Sequence, residues 1–212
     1  MNKKNIFIFF ILRKYNFILL SIILLLALLT TIYINNANEN PILFCSQIDS
    51  IFTFQDFGSS VKICLKKNNE KDFQLIATTK NITGNYISTW HLPYRVFKID
   101  IADIDMNGKT DICVGVIKKT RYDPYLKKRL FLFQLIDGNI RPLWLGSRLS
   151  KPLMTFKVLN KKGINIIRTI EEEENSNFLV AEYKWVSFGL QFISYLGRNI
   201  ADKDILKIYN KS

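Results

Sequence analysis

Four side chains with a carboxylate or amide oxygen stand close together in one short segment of the chain, DIDMNGKTD. At positions 1, 3, 5 and 9 of this loop they are Asp103, Asp105, Asn107 and Asp111. Calcium takes about six to eight hard oxygen ligands, and alternate residues of a tight loop can direct several side chains at one point. Gly108 at position 6 allows a sharp turn, and Lys109 at position 7 can offer its backbone carbonyl. The segment therefore predicts a calcium site.

The predicted site is not an EF-hand. Position 12 of the loop is Val114 instead of glutamate, and the flanking residues are typical of strands instead of helices. We therefore expect the loop to connect two strands. The alternative is a polar hairpin loop whose Asp and Asn side chains form Asx turns without a metal.

A second candidate site is the basic, aromatic segment KKTRYDPYLKKR at 118–129, which we interpret as a long connection between two strands. Guanidinium groups pair with carboxylate or phosphate, and aromatic rings stack on sugars or bases. The segment and three later residues are predicted to form one ligand-binding patch at an end of the sheet. Its residues are Lys118, Lys119, Arg121, Lys127, Lys128, Arg129, Arg141, Trp144 and Arg148. The alternative is an ordinary solvated loop.

The residue types give little support to an enzyme. His91 is the only histidine, which excludes most metal and acid–base chemistries that need several imidazoles. The sequence contains no HExxH, no glycine-rich phosphate loop and no GxSxG. A glycosidase with two carboxylates stays open, because distances through space cannot be read from a sequence. We predict no catalytic residue.

The N-terminal region predicts the compartment. Residues 17–34 are eighteen residues without a charge, which as a helix nearly span a hydrocarbon core of about 30 Å. Basic residues precede this run, and none follows before Lys62, so the positive-inside rule places the N-terminus in the cytoplasm. The preceding basic residues are Lys3, Lys4, Arg13 and Lys14.

This pattern predicts a single-pass membrane protein whose C-terminal part is extracytoplasmic. A cleaved signal peptide followed by secretion is the alternative. The predicted organisation is a cytoplasmic basic leader at 1–16, a transmembrane signal anchor at 17–34, a linker at 35–50 and an extracytoplasmic β-repeat domain at 51–212.

The exported part stays basic, with 26 Lys and Arg against 18 Asp and Glu after residue 34. Such a charge favours anionic neighbours, although a basic bias that only aids solubility is the alternative. The partners we expect are the membrane, through the anchor, anionic polysaccharide or lipid headgroups, and a further protein. Nucleic acid is not expected.

Three cysteines would face an oxidising compartment. An odd number allows one disulfide and one free thiol. Cys45 and Cys64 are the predicted pair, because Cys113 lies in an apolar run that is typical of a buried core thiol.

The elements that position these sites are predicted to be strands. After Ile51, apolar residues recur in short β-branched and aromatic runs separated by Gly, Asn, Asp and Pro, which predicts an all-β domain. Strands are expected near 51–57, 61–67, 73–79, 86–90, 95–102, 111–118, 129–136, 139–145, 153–159, 164–171, 178–186, 188–196 and 205–209.

A faint internal repeat suggests how these strands are grouped. The similar segments are IFTF at 51–54, VFKI at 96–99, TFKV at 155–158 and ILKI at 205–208. The aromatic residues that precede the last three are Trp90, Trp144 and Tyr195. This spacing favours about three antiparallel units of four strands, similar to propeller blades. Incomplete closure, closure by a partner and a twisted sandwich all stay open.

The segment DIDMNGKTDICVGV resembles FG-GAP and VCBS-type repeats, whose blades carry a D-x-D-x-[DN]-G-x-x-D calcium loop before an apolar strand with a glycine. The match is strict over 99–118 and loose over 95–145. The resemblance implies an extracellular β-propeller-like repeat, common in adhesion or carbohydrate-associated surface proteins, and it implies no catalysis. The third unit has NKKGIN at 160–165 instead of an acidic loop, so one site is expected.

These features together predict a membrane-anchored, extracytoplasmic, calcium-binding β-repeat module. Its expected role is that of a binding or scaffold protein for an anionic envelope or surface ligand. The alternatives are an envelope-associated hydrolase on a β-scaffold and a structural subunit of an envelope complex.

Overall fold

The structure, a computed structural model, describes residues 48–211 except 57, 83, 147, 148, 175 and 176. The predicted leader and anchor, with Cys45 and Arg148, lie outside the described residues. Within the described part of the chain, no helix is long and apolar enough to cross a membrane.

Twelve strands and one short helix form the described chain, which confirms the prediction of an all-β domain. Each of the first twelve predicted strands has a counterpart. The strands are β1 Ile48–Asp56, β2 Ser59–Asn69, β3 Asp72–Asn81, β4 Gly84–Leu92, β5 Arg95–Ala102, β6 Asp111–Thr120, β7 Asp123–Ile136, β8 Asn139–Trp144, β9 Leu153–Lys161, β10 Ile164–Glu172, β11 Phe178–Val186 and β12 Gly189–Ile200, and the helix is α1 Asp202–Tyr209.

The strands form three antiparallel sheets of four, as the repeat predicted. In chain order, the first sheet contains β1 to β4, the second β5 to β8 and the third β9 to β12, and every strand pairs only with its neighbours in the chain. The segments IFTF, VFKI and TFKV lie in β1, β5 and β9, the first strand of each sheet. The aromatic residues Trp90, Trp144 and Tyr195 lie in the fourth strands.

The predicted terminal strand at 205–209 was wrong, because this segment belongs to α1. Ile205 and Tyr209, one helical turn apart, are both buried, and Asp202 and Asp204 occupy the first turn, where carboxylates favour the helix dipole. A window of four or five residues cannot distinguish a strand from a helix by periodicity. The helix packs on Ile170 and Val180 of the third sheet.

Arg168 on β10 ties α1 to the third sheet. Its side chain is 1% exposed and donates to the backbone carbonyls of Tyr209 and Lys211 at the end of the helix. Its Nε also donates to Glu182 Oε1 at 2.9 Å, on the neighbouring strand β11. The buried guanidinium therefore supplies donors to carbonyls that a helix end would otherwise leave unsatisfied.

The second sheet lies between the other two and is buried on both faces. Val114 and Phe133 on one face belong to the same apolar core as Ile63 of the first sheet. Leu132 on the other face packs with Phe156 of the third sheet. Residues 111–116 of β6 are accordingly all buried, and residues 112–116 form a continuous apolar run instead of an alternation.

Gly115 in this run sits where the second and third sheets meet. A Cβ at this position would lie 2.6 Å from Phe97 Cζ and 2.9 Å from Phe156 Cε1. The two rings pack edge to face with centroids 6.3 Å apart, so neither ring can move freely. The close contact explains why a glycine interrupts the apolar strand.

We expect Gly115→Ala to destabilise the protein by about 1–3 kcal/mol, because it overpacks this contact. Urea unfolding would measure the loss. In a Phe97→Leu background the same change should cost less, because the smaller side chain leaves room. An unchanged unfolding midpoint in Gly115→Ala would show that the sheets separate easily here.

A tight hairpin at Asp137 and Gly138 joins β7 to β8. Their φ angles are 51° and 74°, the left-handed pair of a type I′ turn, which suits the twist of the adjoining strands. A second tight hairpin, in which Ser187 has φ 52°, joins β11 and β12.

The basic segment 118–129 corrects the sequence interpretation, because it is not a long connection. β6 continues to Thr120 and β7 begins at Asp123, so only a turn of two residues separates them. Lys118 and Lys127 are directly paired across the two strands. This end of the hairpin is largely exposed, so it lacks the apolar alternation by which strands are recognised.

The cysteines differ in state. Cys64 is disulfide-bonded, whereas Cys113 is a free, buried thiol, as the apolar run around it predicted. Burial raises the pKa of the Cys113 thiol well above its ordinary value. Cys113 is therefore a core residue and an unreactive one.

Candidate metal centre and basic surface

The acidic loop joins β5 to β6 between Ala102 and Asp111. Asp103 organises it, because its Oδ1 accepts from the backbone N–H of Asn107 at 3.0 Å and its Oδ2 from that of Gly108 at 2.8 Å. Met106 and Gly108 both adopt left-handed backbone conformations, with φ 62° and 83°. The loop thus turns sharply at the glycine that the calcium-loop spacing requires.

Three carboxylates converge inside this turn. One oxygen from each of Asp103, Asp105 and Asp111 lies within 4.8 Å of the others. Asp111 is fully buried, and the other two are partly buried. Three anionic groups at this separation repel one another, and a bound divalent cation would compensate that repulsion.

Asp111 is the least compensated of the three carboxylates. Its Oδ2 accepts from the backbone N–H groups of Ile104 at 2.8 Å and Asp105 at 3.3 Å. Its Oδ1 is buried and has no hydrogen-bond partner among the described residues. Burial, reinforced by repulsion from Asp105 and Asp103, raises the pKa of Asp111 to about 7. A buried acceptor without a donor is costly, so this oxygen is a ready ligand for a cation.

Asn107 braces the loop. Its amide Nδ2 donates to Asp105 Oδ2 at 3.0 Å, and its Oδ1 accepts from the backbone N–H of Lys109 at 2.7 Å. The structure therefore brings the three aspartates together and places the Asn107 amide beside them. Ligation by Asn107 and by the Lys109 carbonyl stays a prediction.

The third sheet holds the loop from outside, which the sequence did not reveal. Asn165 Nδ2 on β10 donates to the backbone carbonyl of Asp103 at 2.7 Å, and Ile104 is buried in the core shared with Phe156. Asn165 is the last residue of NKKGIN, the segment that lacks an acidic loop of its own. No local pattern indicates a contact between residues 62 positions apart.

The cations of the basic segment differ in the partner that each one contacts: a carboxylate, a backbone carbonyl or an aromatic ring. Lys127 and Arg129 each lie 3.0 Å from the carboxylate of Asp123, so this carboxylate offsets much of their charge. Lys128 Nζ donates to the backbone carbonyl of Met154 at 2.9 Å. Lys118 Nζ instead lies over an aromatic ring, 4.7 Å from the centroid of Tyr94.

The remaining residues of the predicted patch have separate surroundings. Arg121 stacks on the neighbouring ring of Tyr122 in the turn, and Lys119 is exposed on β6. Arg141 lies on β8 opposite Gln134, which at the usual strand rise is roughly 17 Å along β7 from Arg129. Trp144, also on β8, packs in the core between the second and third sheets. The structure thus places the 118–129 cations on one hairpin but divides them, because Lys118 faces Tyr94 and Lys128 faces Phe97, and it does not join Arg141 to them.

His91 has a structural partner. It is exposed on β4, and its Nε2 lies 2.7 Å from Asp72 Oδ1 on the adjacent strand. A surface pair across two strands needs no catalytic explanation.

Comparison of the chain with protein-family models, curated protein sequences and solved structures gave no match.

Proposed function

We propose that the chain is a calcium-binding β-repeat module, similar to one repeat site of the FG-GAP and VCBS type, which acts as a binding or scaffold protein. The observation that carries the proposal is the convergence of Asp103, Asp105 and Asp111, with the buried Oδ1 of Asp111 lacking a donor. A cation in this turn would satisfy that oxygen and relieve the repulsion between the three carboxylates.

The donor set favours calcium over other metals. The cluster consists of carboxylates, whereas structural zinc sites are built mainly from cysteine and histidine. Magnesium demands near-ideal octahedral geometry and usually keeps several waters, with one or two protein carboxylates. Three carboxylates on a tight loop, with an amide and a carbonyl nearby, match the larger and more flexible coordination of calcium.

The contacts around the loop support a structural role for the ion. The loop connects two strands of the second sheet and is held by Asn165 of the third sheet. An ion bound there would rigidify the β5–β6 connection and, through Asn165, the junction between the two sheets. The proposal therefore gives the ion no chemical step.

We extend the proposal to the architecture and location of the module. The three stacked sheets of four strands support a blade-like arrangement. The apolar run at 17–34 supports an uncleaved anchor that holds the module outside the membrane. Lys118, Lys119 and Arg121 of the β6–β7 hairpin have no carboxylate within ion-pair distance among the described residues, which supports an anionic ligand.

Calcium titration of the full chain by isothermal calorimetry tests the proposal. We expect one calcium ion per chain, and we expect Asp105→Ala to weaken binding by more than about tenfold because it removes a charged ligand. Asp202→Ala, which removes an exposed carboxylate from α1, is the matched control and should bind as the native chain does. Equal calcium affinity in the native chain and Asp105→Ala would refute the metal site.

A further inference from the structure

A groove of about 560 Å³ opens between the first and second sheets, and the acidic loop takes no part in it. The β2–β3 turn, the β4–β5 connection and the β6–β7 hairpin form its walls. This volume lies within the range of about 300–1,000 Å³ that is typical of small-ligand sites in proteins. The groove is therefore large enough for a small organic molecule.

The floor of the groove is apolar. Tyr94 is partly buried and packs edge to face on Phe131, with ring centroids 5.9 Å apart. Pro93 and Ile117 line the groove beside it, and Leu126 stands at the side with 65% of its surface exposed. A large, exposed leucine beside a partly exposed tyrosine is an apolar surface that a ligand could cover.

The rim of the groove carries four cations and one carboxylate, so its net charge is positive. Its four cations are Lys71, Arg95, Lys118 and Lys119. Among the described residues, none of these four side chains has a carboxylate within ion-pair distance. Glu70 is the only acidic residue among the described residues of the lining, and its carboxylate pairs with Lys67 at 2.6 Å and also attracts Arg95.

Lys118 connects the rim to the floor. Its ammonium lies 4.7 Å from the centroid of Tyr94 and 5.3 Å from that of Phe131. A cation over aromatic rings is partly withdrawn from water, which strengthens its attraction for an anion. Lys127 is directly paired with Lys118 across the hairpin, but Asp123 binds Lys127.

We propose that this groove binds a small amphiphilic anion. The carboxylate or phosphate of the ligand pairs with Lys118 and Arg95, and its aromatic or short aliphatic body covers Tyr94 and Leu126. The inference rests on the proposed function as a module that binds an anionic ligand. It adds the class of that ligand and assigns its charge to Lys118 and Arg95. The groove volume of about 560 Å³ suits a compact molecule.

Calorimetric titration of the full chain with three probes separates the contribution of the ligand's charge from that of its apolar body. The probe 2-naphthoate carries both a ring body and a charge, 2-naphthol is uncharged at neutral pH, and inorganic phosphate has no apolar body. We expect 2-naphthoate to bind once per chain and the other two to bind at least about tenfold more weakly. Equal affinity for inorganic phosphate would overturn the proposal, as would the absence of 2-naphthoate binding.

Matched charge variants locate the site. Lys118→Gln and Arg95→Gln should each weaken 2-naphthoate binding by about five- to tenfold. Lys184→Gln, an exposed position on β11 of the third sheet, removes the same charge and should leave the affinity unchanged. Unchanged affinity in both Lys118→Gln and Arg95→Gln would place the ligand elsewhere and overturn the proposal.

The calcium site and the groove can fail independently. The same titrations in chelator and with Asp105→Ala should leave 2-naphthoate binding intact, because the two sites are formed by different residues. Lost calcium binding with retained 2-naphthoate binding would refute the metal centre alone. The reverse result would refute the groove alone.

Discussion

Asp111→Asn is expected to stabilise the protein in chelator and to destabilise it in calcium, relative to the native sequence. In chelator the substitution removes a buried charge that Asp103 and Asp105 repel, and the amide can donate to those carboxylates. In calcium the native protein gains stability by mass action, whereas the variant has lost a charged ligand. Few structural side chains would reverse the sign of their effect in this way.

The metal-free protein should also depend on pH through Asp111. Its pKa in the folded state is about 7, above the value of about 3.9 for an aspartate in an unfolded chain. The unfolded state therefore releases this proton first, and stability falls as pH rises from about 4 to about 7. The full loss is on the order of 4 kcal/mol, and Asp111→Asn should not show it.

Urea unfolding in chelator at about pH 5 and about pH 8, and in millimolar calcium at the higher pH, measures both effects. Asp123→Asn is the control, because it removes a carboxylate that is bound to Lys127 and Arg129. The loss of unfolding free energy in Asp123→Asn should be small, and it should be equal in chelator and in calcium. If Asp111→Asn destabilises the protein equally in both, the carboxylate is structural and the metal centre is refuted.

Arg168→Met is expected to cost about 3–5 kcal/mol, because it breaks a buried ion pair and leaves its partners uncompensated. Glu182, 4% exposed, would keep only Lys161, whose Nζ lies 2.7 Å from its Oε1. The carbonyls of Tyr209 and Lys211 would lose their donor at the end of α1. The helix should then detach before the sheets unfold.

Arg198→Met is a matched control for this substitution. Arg198 also pairs with a glutamate, at 2.6 Å from Glu173 Oε1, but its side chain is 56% exposed. Glu173 is 9% exposed, but it keeps the backbone N–H of Asn199 as a donor when Arg198 is removed, so we expect a loss of about 1 kcal/mol. Urea unfolding of both variants measures the difference, and hydrogen exchange over 202–209 reports detachment of the helix. Equal losses in the two variants would show that Arg168 does not anchor α1.

Elements with a strong local pattern could be predicted from the sequence. The bounds of β5 and β11 match the predicted ranges 95–102 and 178–186, because each is an apolar run between clear breakers. The acidic loop could be located because alternate ligands and a glycine are a local pattern. The convergence of its three carboxylates agrees with that spacing.

Features that depend on distant contacts could not be predicted. Asn165 reaches the loop from another sheet, and Arg168 reaches α1 across 41 positions. The extension of β6 and β7 was missed because charged side chains cover the protruding end of the hairpin. The pairing of Lys127 with Asp123, which separates it from Lys118, likewise depends on geometry through space.

The pairing of every strand with its chain neighbours has a kinetic consequence. All the ladders in the described chain join segments connected by turns or short loops, so the contacts that define each sheet are close in sequence. Chains rich in such contacts fold faster than β-proteins of the Greek-key type, because less loop entropy is lost before pairing is rewarded. Each sheet can therefore assemble from its own hairpins as the chain is synthesised. The slower step is then the stacking of the middle sheet, whose two apolar faces stay exposed until both neighbours arrive.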